Sequence, residues 1–318
     1  MLIGIDIGGT KCAVIKGEVE NDEIKIVNKI KIDTKNISPE GALKLFKEKI
    51  IEISNGESID AIGISCGGPL DSKNGIIMSP PNLLGWDNIK IVDYMKNAFG
   101  CACAIQNDAN ACALAEWKFG AAKGYNNVVF FTFGSGLGAG LILDGKLYSG
   151  TNDMAGEAGH IRLCDFGPVG YGKAGSFEGF CSGNGIAKLG ALKATEALQN
   201  GKTVSYCTSF DDLDNITAKK IAEFANKGYE DAKEIYAISA EKLGYGLSII
   251  IDILNPEIIV IGSVFARNYD LMHPIARKII DKEALGHSSK VCKVVGAALG
   301  EEIGDWAALA VAKNAIDN

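Results

Sequence analysis

Asp6 stands near the end of the apolar run Leu2–Ile7, just before Gly8-Gly9-Thr10-Lys11. An ionised carboxylate in such a run is costly without a partner. Either a Mg2+ ion, or its water shell, supplies that partner, or the carboxylate caps its own turn. Gly8, Gly9 and Thr10 offer backbone N–H groups and a hydroxyl to phosphate oxygens, and glycine lets backbone approach a ligand closely. Lys11 adds positive charge. A second glycine turn, Gly134-Ser135-Gly136-Leu137-Gly138, separates the apolar run 128–133 from Ala139–Leu143. One such turn says little, whereas its repetition points to a pair of phosphate-gripping hairpins. Neither turn has P-loop spacing. Each joins strand to strand rather than strand to helix, which counts against a dinucleotide fingerprint and an NAD enzyme.

Asn107-Asp108 follows a strand-like run and opens a helix. Both residue types cap helices well. Asp108 at a strand tip is equally suited to act as a general base, orienting and deprotonating an acceptor hydroxyl in phosphoryl transfer. Capping and catalysis can coexist, and the chemistry alone leaves both open. Gly67-Gly68-Pro69 follows another strand end. Asn82 lies in the rigid loop Pro80-Pro81-Asn82-Leu83-Leu84-Gly85-Trp86. Glu157, His160 and Glu178 lie among glycines and carry weight only as a set, since isolated surface carboxylates and lone histidines usually do nothing.

These residues need elements to position them. Strand-like runs at 24–30, 59–65 and 101–105 and helical spacing at 39–53, Ile91–Phe99 and 109–119 complete a first half. After the second hairpin come helical stretches between 217 and 254, a strand at Ile258–Ile261, a helix at 269–280, a strand at 290–295 and a helix at 303–315. Asn255-Pro256 stops the preceding helix. Both halves read β-β-β-α-β-α-β-α, which implies mixed sheets with helices on their faces. The expected organisation is a small lobe at 1–118 and a large lobe at 119–303 carrying a glycine-rich insertion at 150–216. The helix at 304–318 packs back on the small lobe. Two lobes enclose a cleft, where ligands bind and which closes over its substrate.

Composition sets outer limits. The 318 residues are 47% hydrophobic and 22% charged, which suits a packed core, and the net charge of −7 disfavours nucleic acid as main partner. Nine cysteines cannot all pair; most sit in apolar runs, as reduced core thiols do. Cys101-Ala102-Cys103 reads as packing rather than a metal motif. No apolar run is long enough to span a bilayer. With Met1 leading straight into a strand, no signal peptide is expected and the cytoplasm follows.

The motifs resemble those of the actin-like sugar kinases, specifically the ROK family. Asp6-Ile7-Gly8-Gly9-Thr10-Lys11 resembles its first phosphate motif, and Gly134-Ser135-Gly136-Leu137-Gly138-Ala139-Gly140 its second. Gly63-Ile64-Ser65-Cys66-Gly67-Gly68-Pro69 resembles its glycine-proline segment, and Pro81-Asn82-Leu83-Leu84-Gly85-Trp86 its sugar loop. Asn107-Asp108-Ala109-Asn110 matches the segment bearing its catalytic aspartate. Gly156-Glu157-Ala158-Gly159-His160 and Glu178 match its sugar signature. The resemblance runs the length of the chain. It implies a duplicated ribonuclease H-like (actin-like ATPase) fold and ATP-dependent phosphorylation of a hexose, typically at the 6-hydroxyl, with Asp108 as base. It assigns Gly68, Asn82, Asn107, Glu157, His160 and Glu178 to the sugar. Asp6, Gly8, Gly9, Thr10, Lys11, Thr132, Gly134, Ser135, Gly136, Gly262 and Ser263 go to ATP, and Asp6 to Mg2+ through water. It also leads one to expect a homodimer. Glucose is the first expectation; N-acetylmannosamine, N-acetylglucosamine, fructose, allose and β-glucosides follow. A repressor of the same family would need a DNA-binding segment ahead of the first strand, for which Leu2 leaves no room.

One departure stands out. Many family members hold a structural zinc with a histidine and three cysteines. Here the cysteine positions are Val169, Tyr171 and Ser176, while Cys164 and Cys181 are out of register. One imidazole cannot hold zinc. No zinc is expected, with apolar packing of Tyr171, Phe177 and Phe180 holding the loop instead.

Overall fold

The computed structural model describes residues 1–9, 11–20, 23–35 and 37–317. The chain begins β1 (Leu2–Ile7), β2 (Lys11–Glu20), β3 (Glu23–Asp33), α1 (Pro39–Ser54), β4 (Ala61–Cys66). The short strands β5 (Leu70–Asp71) and β6 (Ile76–Ile77) follow, then α2 (Ile91–Phe99), β7 (Ala102–Asn107), α3 (Asp108–Phe119). Next are β8 (Val128–Phe131), β9 (Ala139–Leu143), β10 (Lys146–Tyr148), β11 (Val169–Gly170) and β12 (Lys173–Ala174). The helices α4 (Phe177–Phe180), α5 (Gly183–Gln199), α6 (Ala218–Asn226) and α7 (Glu230–Leu254) precede β13 (Ile258–Ile261). Last come α8 (Ser263–Arg267), α9 (Tyr269–Glu283), α10 (Gly286–Val291), β14 (Lys293–Gly296) and α11 (Ile303–Asp317).

Two compact units result. The first comprises residues 1–126, 140–155 and 298–318, the second 127–139 and 156–297. The strand orders β3-β2-β1-β4-β7 and β10-β9-β8-β13-β14 are the same plan used twice: a three-strand antiparallel meander followed by two parallel strands.

In the first unit, β1 pairs antiparallel with β2 and parallel with β4, and β4 parallel with β7. Helix α1 starts at Pro39 behind the N-cap Ser38, whose hydroxyl accepts from Gly41 N at 3.2 Å, and ends on left-handed Asn55. Its buried Phe46, Ile50 and Ile53 pack with Ile3, Ile5, Ile62 and Ile64 on one side of the sheet. On the other, Ala308, Leu309 and Ala312 of α11 pack against Leu2, Ala13, Ile15 and Ala61. This approach needs glycine, because a Cβ at Gly63 would lie 2.2 Å from Ala308 O and from Ala312 N.

In the second unit, β13 runs parallel to both β8 and β14. The β9–β10 hairpin, whose residues from Gly140 on belong to the first unit, turns on Asp144-Gly145 at φ 51° and 71°, the signature of a type I′ turn. Two segments depart from the sequence expectation. Residues 286–291 form α10, and β14 begins only at Lys293, where pairing with Ile258 starts. Within the region expected as a glycine-rich insertion lies the 17-residue helix α5. Its glycines serve contact rather than flexibility: a Cβ on Gly185 would sit 2.3 Å from Gly179 O, and one on Gly190 2.5 Å from Ile221 Cδ1.

Candidate active site

The register of the first sheet decides what can meet there. Ile7 stands level with Cys66, and Cys66 with Asn107. The carboxyl ends of three parallel strands therefore open at one edge, the usual place for ligands in such sheets. From that edge emerge the Gly8–Gly9 turn, the Gly67-Gly68-Pro69 segment and Asp108. The loop bearing Asn82 joins them. Its Leu83 and Trp86 are buried, leaving Asn82 exposed, and a Cβ on Gly9 would lie 2.6 Å from Asn82 O. The sugar loop expected from the sequence thus rests on the first glycine turn, which closes with Gly8 N donating to Lys11 O at 3.1 Å. Lys11 is exposed. Thr10 lies outside the described residues.

Asn107 caps α3, its Oδ1 accepting from Asn110 N at 2.8 Å. Asp108 is the first helical residue, and its Oδ1 accepts from Ala109 N at 2.8 Å. Solvent reaches this carboxylate, yet protein walls it on most sides, and the resulting desolvation pushes its pKa up, against the opposing amides of Ala109 and of Asp108 itself. Capping and an available carboxylate therefore coexist: Asn107 does the capping and Asp108 is left to the solvent side.

Asp6 is more enclosed. Burial first, then the neighbouring Asp305, raise its pKa to about 6; Lys29 works the other way and Asp108 adds a little. Asp305 is 6% exposed and sits 2.6 Å from Lys29 Nζ. Gly304 faces Asp6 so closely that a Cβ there would be 3.2 Å from Asp6 Oδ2. Lys29 and Asp305 were not visible as site residues in the sequence. The signal was an acid inside the apolar α11 run, but its partner lies 276 positions away.

The second unit gathers its own set around residues 134–138. Thr132 N donates to Gly138 O, and Thr132 Oγ1 accepts from Gly138 N, both at 3.0 Å. Glu178 Oε2 accepts from Leu137 N at 3.0 Å, and a Cβ on Gly136 would lie 2.8 Å from that same oxygen. Gly134 O and Ser135 O accept from Gly183 N and Asn184 N at the start of α5. Glu157 precedes, and His160 ends, a 3-10 turn pinned nearby, since Ala139 N donates to Gly156 O at 3.1 Å and a Cβ on Gly159 would be 2.2 Å from Leu137 O. Gly262 N donates to Phe131 O at 2.9 Å, and Ser263 begins α8 in left-handed conformation at φ 47°.

The loop carrying Val169, Tyr171 and Ser176 differs from expectation in one residue. Phe177 and Phe180 are buried, but Tyr171 is 82% exposed. It forms, with Gly172, the turn of the β11–β12 hairpin at φ 41° and 75°, which aims it away from the core. Its ring meets His160 edge-on, with centroids 6.4 Å apart. Ser176, at the third position, caps α4 by accepting from Gly179 N at 3.1 Å. Among the described residues no group of three or more His, Cys, Asp or Glu side chains is placed to hold a metal ion. No described helix is long and apolar enough to cross a membrane.

A family model for the ROK family matches residues 2–315. The chain belongs to the ROK family. Among its ROK relatives, it is 31% identical to the glucokinase of Thermotoga maritima, over 88% of this chain and 87% of that one. It is 26% identical to the DNA-binding transcriptional repressor Mlc of Escherichia coli, over 82% of this chain and 62% of the repressor. The crystal structure of a ROK family glucokinase from Streptomyces griseus, in complex with glucose and AMPPNP, matches with a TM-score of 0.75 at 28% identity over 98% and 99% of the two chains. The two mixed sheets are thus those of the actin-like ATPase fold.

Proposed function

We propose that this protein is an ATP-dependent hexose kinase of the glucokinase type, acting at the sugar 6-hydroxyl. The observation that carries the reading is the β1/β4/β7 register, which brings Asp6, the first glycine turn and Asp108 to one sheet edge. Likeness to glucokinases supports it.

Asp108 accepts the proton of the attacking hydroxyl. Its raised pKa brings the carboxylate nearer neutrality, where a general base works best. The amides of the first glycine turn and the ammonium of Lys11 offer compensation to phosphate charge. Asn82, Asn107, Glu157, His160 and Glu178 carry polar groups suited to sugar hydroxyls, where an unmatched hydroxyl leaves a buried polar group unpaired. The amides around Gly134 to Gly136, with Thr132, Gly262 and Ser263, serve the nucleotide. Asp6 fits a divalent cation held through water. Two acids, Asp6 and Asp305, share one lysine, and the desolvated Asp6 carboxylate lacks a full positive partner. When bound, Mg2+ neutralises charge on the transferring phosphate.

The Asp108→Asn variant tests the assignment: hexose-dependent ATP consumption disappears while calorimetric hexose binding persists. Unchanged turnover overturns it. A panel of glucose, N-acetylmannosamine, N-acetylglucosamine, fructose, allose and a β-glucoside ranks the substrates. The similarity to Mlc gives a second reading, a sugar-responsive regulator without catalysis. Sugar binding with no ATP consumption across that panel is its mark.

A further inference from the structure

Most cysteines of this chain are walled into the core. Cys66, Cys103 and Cys181 are buried, and burial pushes their thiols up, away from reactive thiolate. Cys164 is different in its surroundings. It is half-buried, and Lys242 of α7 places Nζ 2.8 Å from its sulphur. The same Nζ lies 5.4 Å from the ring centroids of both Phe180 and Tyr245. Two aromatic faces thus hold the cationic end against the thiol, so nitrogen and sulphur are positioned as a pair.

We propose that Cys164 and Lys242 form a reversible sulfenamide cross-link under peroxide. In the first step the Cys164 sulphur attacks one oxygen of hydrogen peroxide. The O–O bond breaks, an S–O bond forms, and the thiol proton leaves with the second oxygen as water. Sulphur loses two electrons and peroxide gains them. In the second step the Lys242 amine, having released a proton to solvent, attacks the sulfenic sulphur. The S–N bond forms, the S–O bond breaks, and a second water leaves. Two small-molecule thiols reverse the link, restoring thiol and amine and leaving as their own disulfide.

The link acts on the sugar segment. The N–H groups of Leu163 and Cys164 both donate to Gly175 O, at 2.8 and 3.1 Å, and Phe177 N donates to Ile161 O at 2.7 Å. The paired stretch 161–164 with 174–177 therefore has His160 just before it and Glu178 just after. An S–N bond is shorter than the contact it replaces, so it draws this stretch toward α7 and displaces both sugar residues. The effect is a several-fold rise in hexose KM with little change in kcat. That consequence rests on the kinase reading; the bond itself does not.

The test treats intact protein with hydrogen peroxide and follows its mass. The expected product has lost two hydrogen atoms, maps to a cross-link between the peptides holding Cys164 and Lys242, and returns to the starting mass with dithiothreitol. Lys242→Arg keeps a cation over the rings without the amine. It is expected to stop at a product one oxygen heavier that a sulfenic-acid trap labels at Cys164. Cys164→Ser shows neither product. A disulfide from Cys164 to another cysteine, or the same cross-link yield in Lys242→Arg, overturns the proposal. If the cross-link forms but no hexose is phosphorylated, the kinase reading fails and the cross-link stands.

Discussion

The two glycine turns share a plan and differ in what holds them. In the first, among the described residues, Gly8 N donates to Lys11 O and Cys12 Sγ to Gly8 O, Lys11 is exposed beside the turn, and a carboxylate, Asp6, stands in the strand behind. The second has Thr132 where the first has its acid, and its polar groups are already engaged by Gly138, Glu178 and the start of α5. An exposed lysine and a strand carboxylate beside a glycine turn suit a phosphate group that changes charge during reaction. A turn braced on every side suits a fixed binding surface. Duplication supplied two similar hairpins, and the neighbours each acquired separate their work.

Replacing the acids of the first unit gives the largest effects. Asp108→Asn should lower kcat by about 10²–10⁴-fold with hexose KM little changed, as steady-state kinetics would show. The equivalent insult to the second turn, Thr132→Val, should act instead on KM for ATP. A kcat loss in Thr132→Val matching that of Asp108→Asn would erase the distinction.

Next come the glycines. At Gly9 the obstacle to a methyl group is backbone, Asn82 O, whereas at Gly136 it is the tip of the Glu178 side chain. Backbone cannot step aside, and a carboxylate can. Gly9→Ala is therefore expected to impair both sugar and nucleotide binding by an order of magnitude or more, on the scale of about 1.4 kcal/mol per tenfold. Gly136→Ala should cost less and fall mainly on hexose affinity, through a displaced Glu178. Calorimetric titration with glucose and with AMPPNP separates the two.

The pH dependence follows from Asp6 and Asp108. Both carboxyls are raised, Asp6 to about 6. In the proposed roles both act ionised, so kcat/KM should fall as pH drops through about 6, higher than ordinary carboxylates would dictate. For stability the sign is opposite. The folded protein binds a proton at Asp6 more tightly than the unfolded chain does, so stability decreases as pH rises from the ordinary carboxylate value of 3.8 to about 6. Asp6→Asn should consequently stabilise the ligand-free protein at pH 7 by about 1–2 kcal/mol, less than the full shift converts to because some solvent reaches the group. The gain should vanish near pH 4. Thermal denaturation at the two pH values measures this, and an Asp6→Asn protein less stable at pH 7 would show Asp6 to be structural.

Much of this is legible in the sequence. The glycine turns, Asp108 at its strand tip and the exposed Asn82 follow from local pattern, because hairpins and helix starts are written in adjacent residues. Helix α5 is hidden because Gly183, Gly185 and Gly190 read as loop, while their actual reason is close packing against Gly134, Gly179 and Ile221. The aromatic ring of Tyr171 suggests core, whereas the hairpin register puts it at a turn. The Lys29–Asp305 pair near Asp6 belongs to long-range contacts that no local spacing encodes.

The finest contrast lies within the second turn, at Glu178. Its Oε2 accepts from Leu137 N, and under the proposed function the same carboxylate also holds a sugar hydroxyl. Glu178→Gln keeps an oxygen that can accept from Leu137 N, yet removes the charge. Glu178→Ala removes both, leaving the Leu137 amide without its partner, a loss of about 1–3 kcal/mol where such a group is desolvated. If bracing and sugar binding are separate duties, Glu178→Gln should weaken hexose binding alone, with melting temperature and AMPPNP affinity held. Glu178→Ala should lower all three. Equal behaviour of the two variants would mean that the Leu137 bond does not brace the turn, leaving that work to Thr132 and the start of α5.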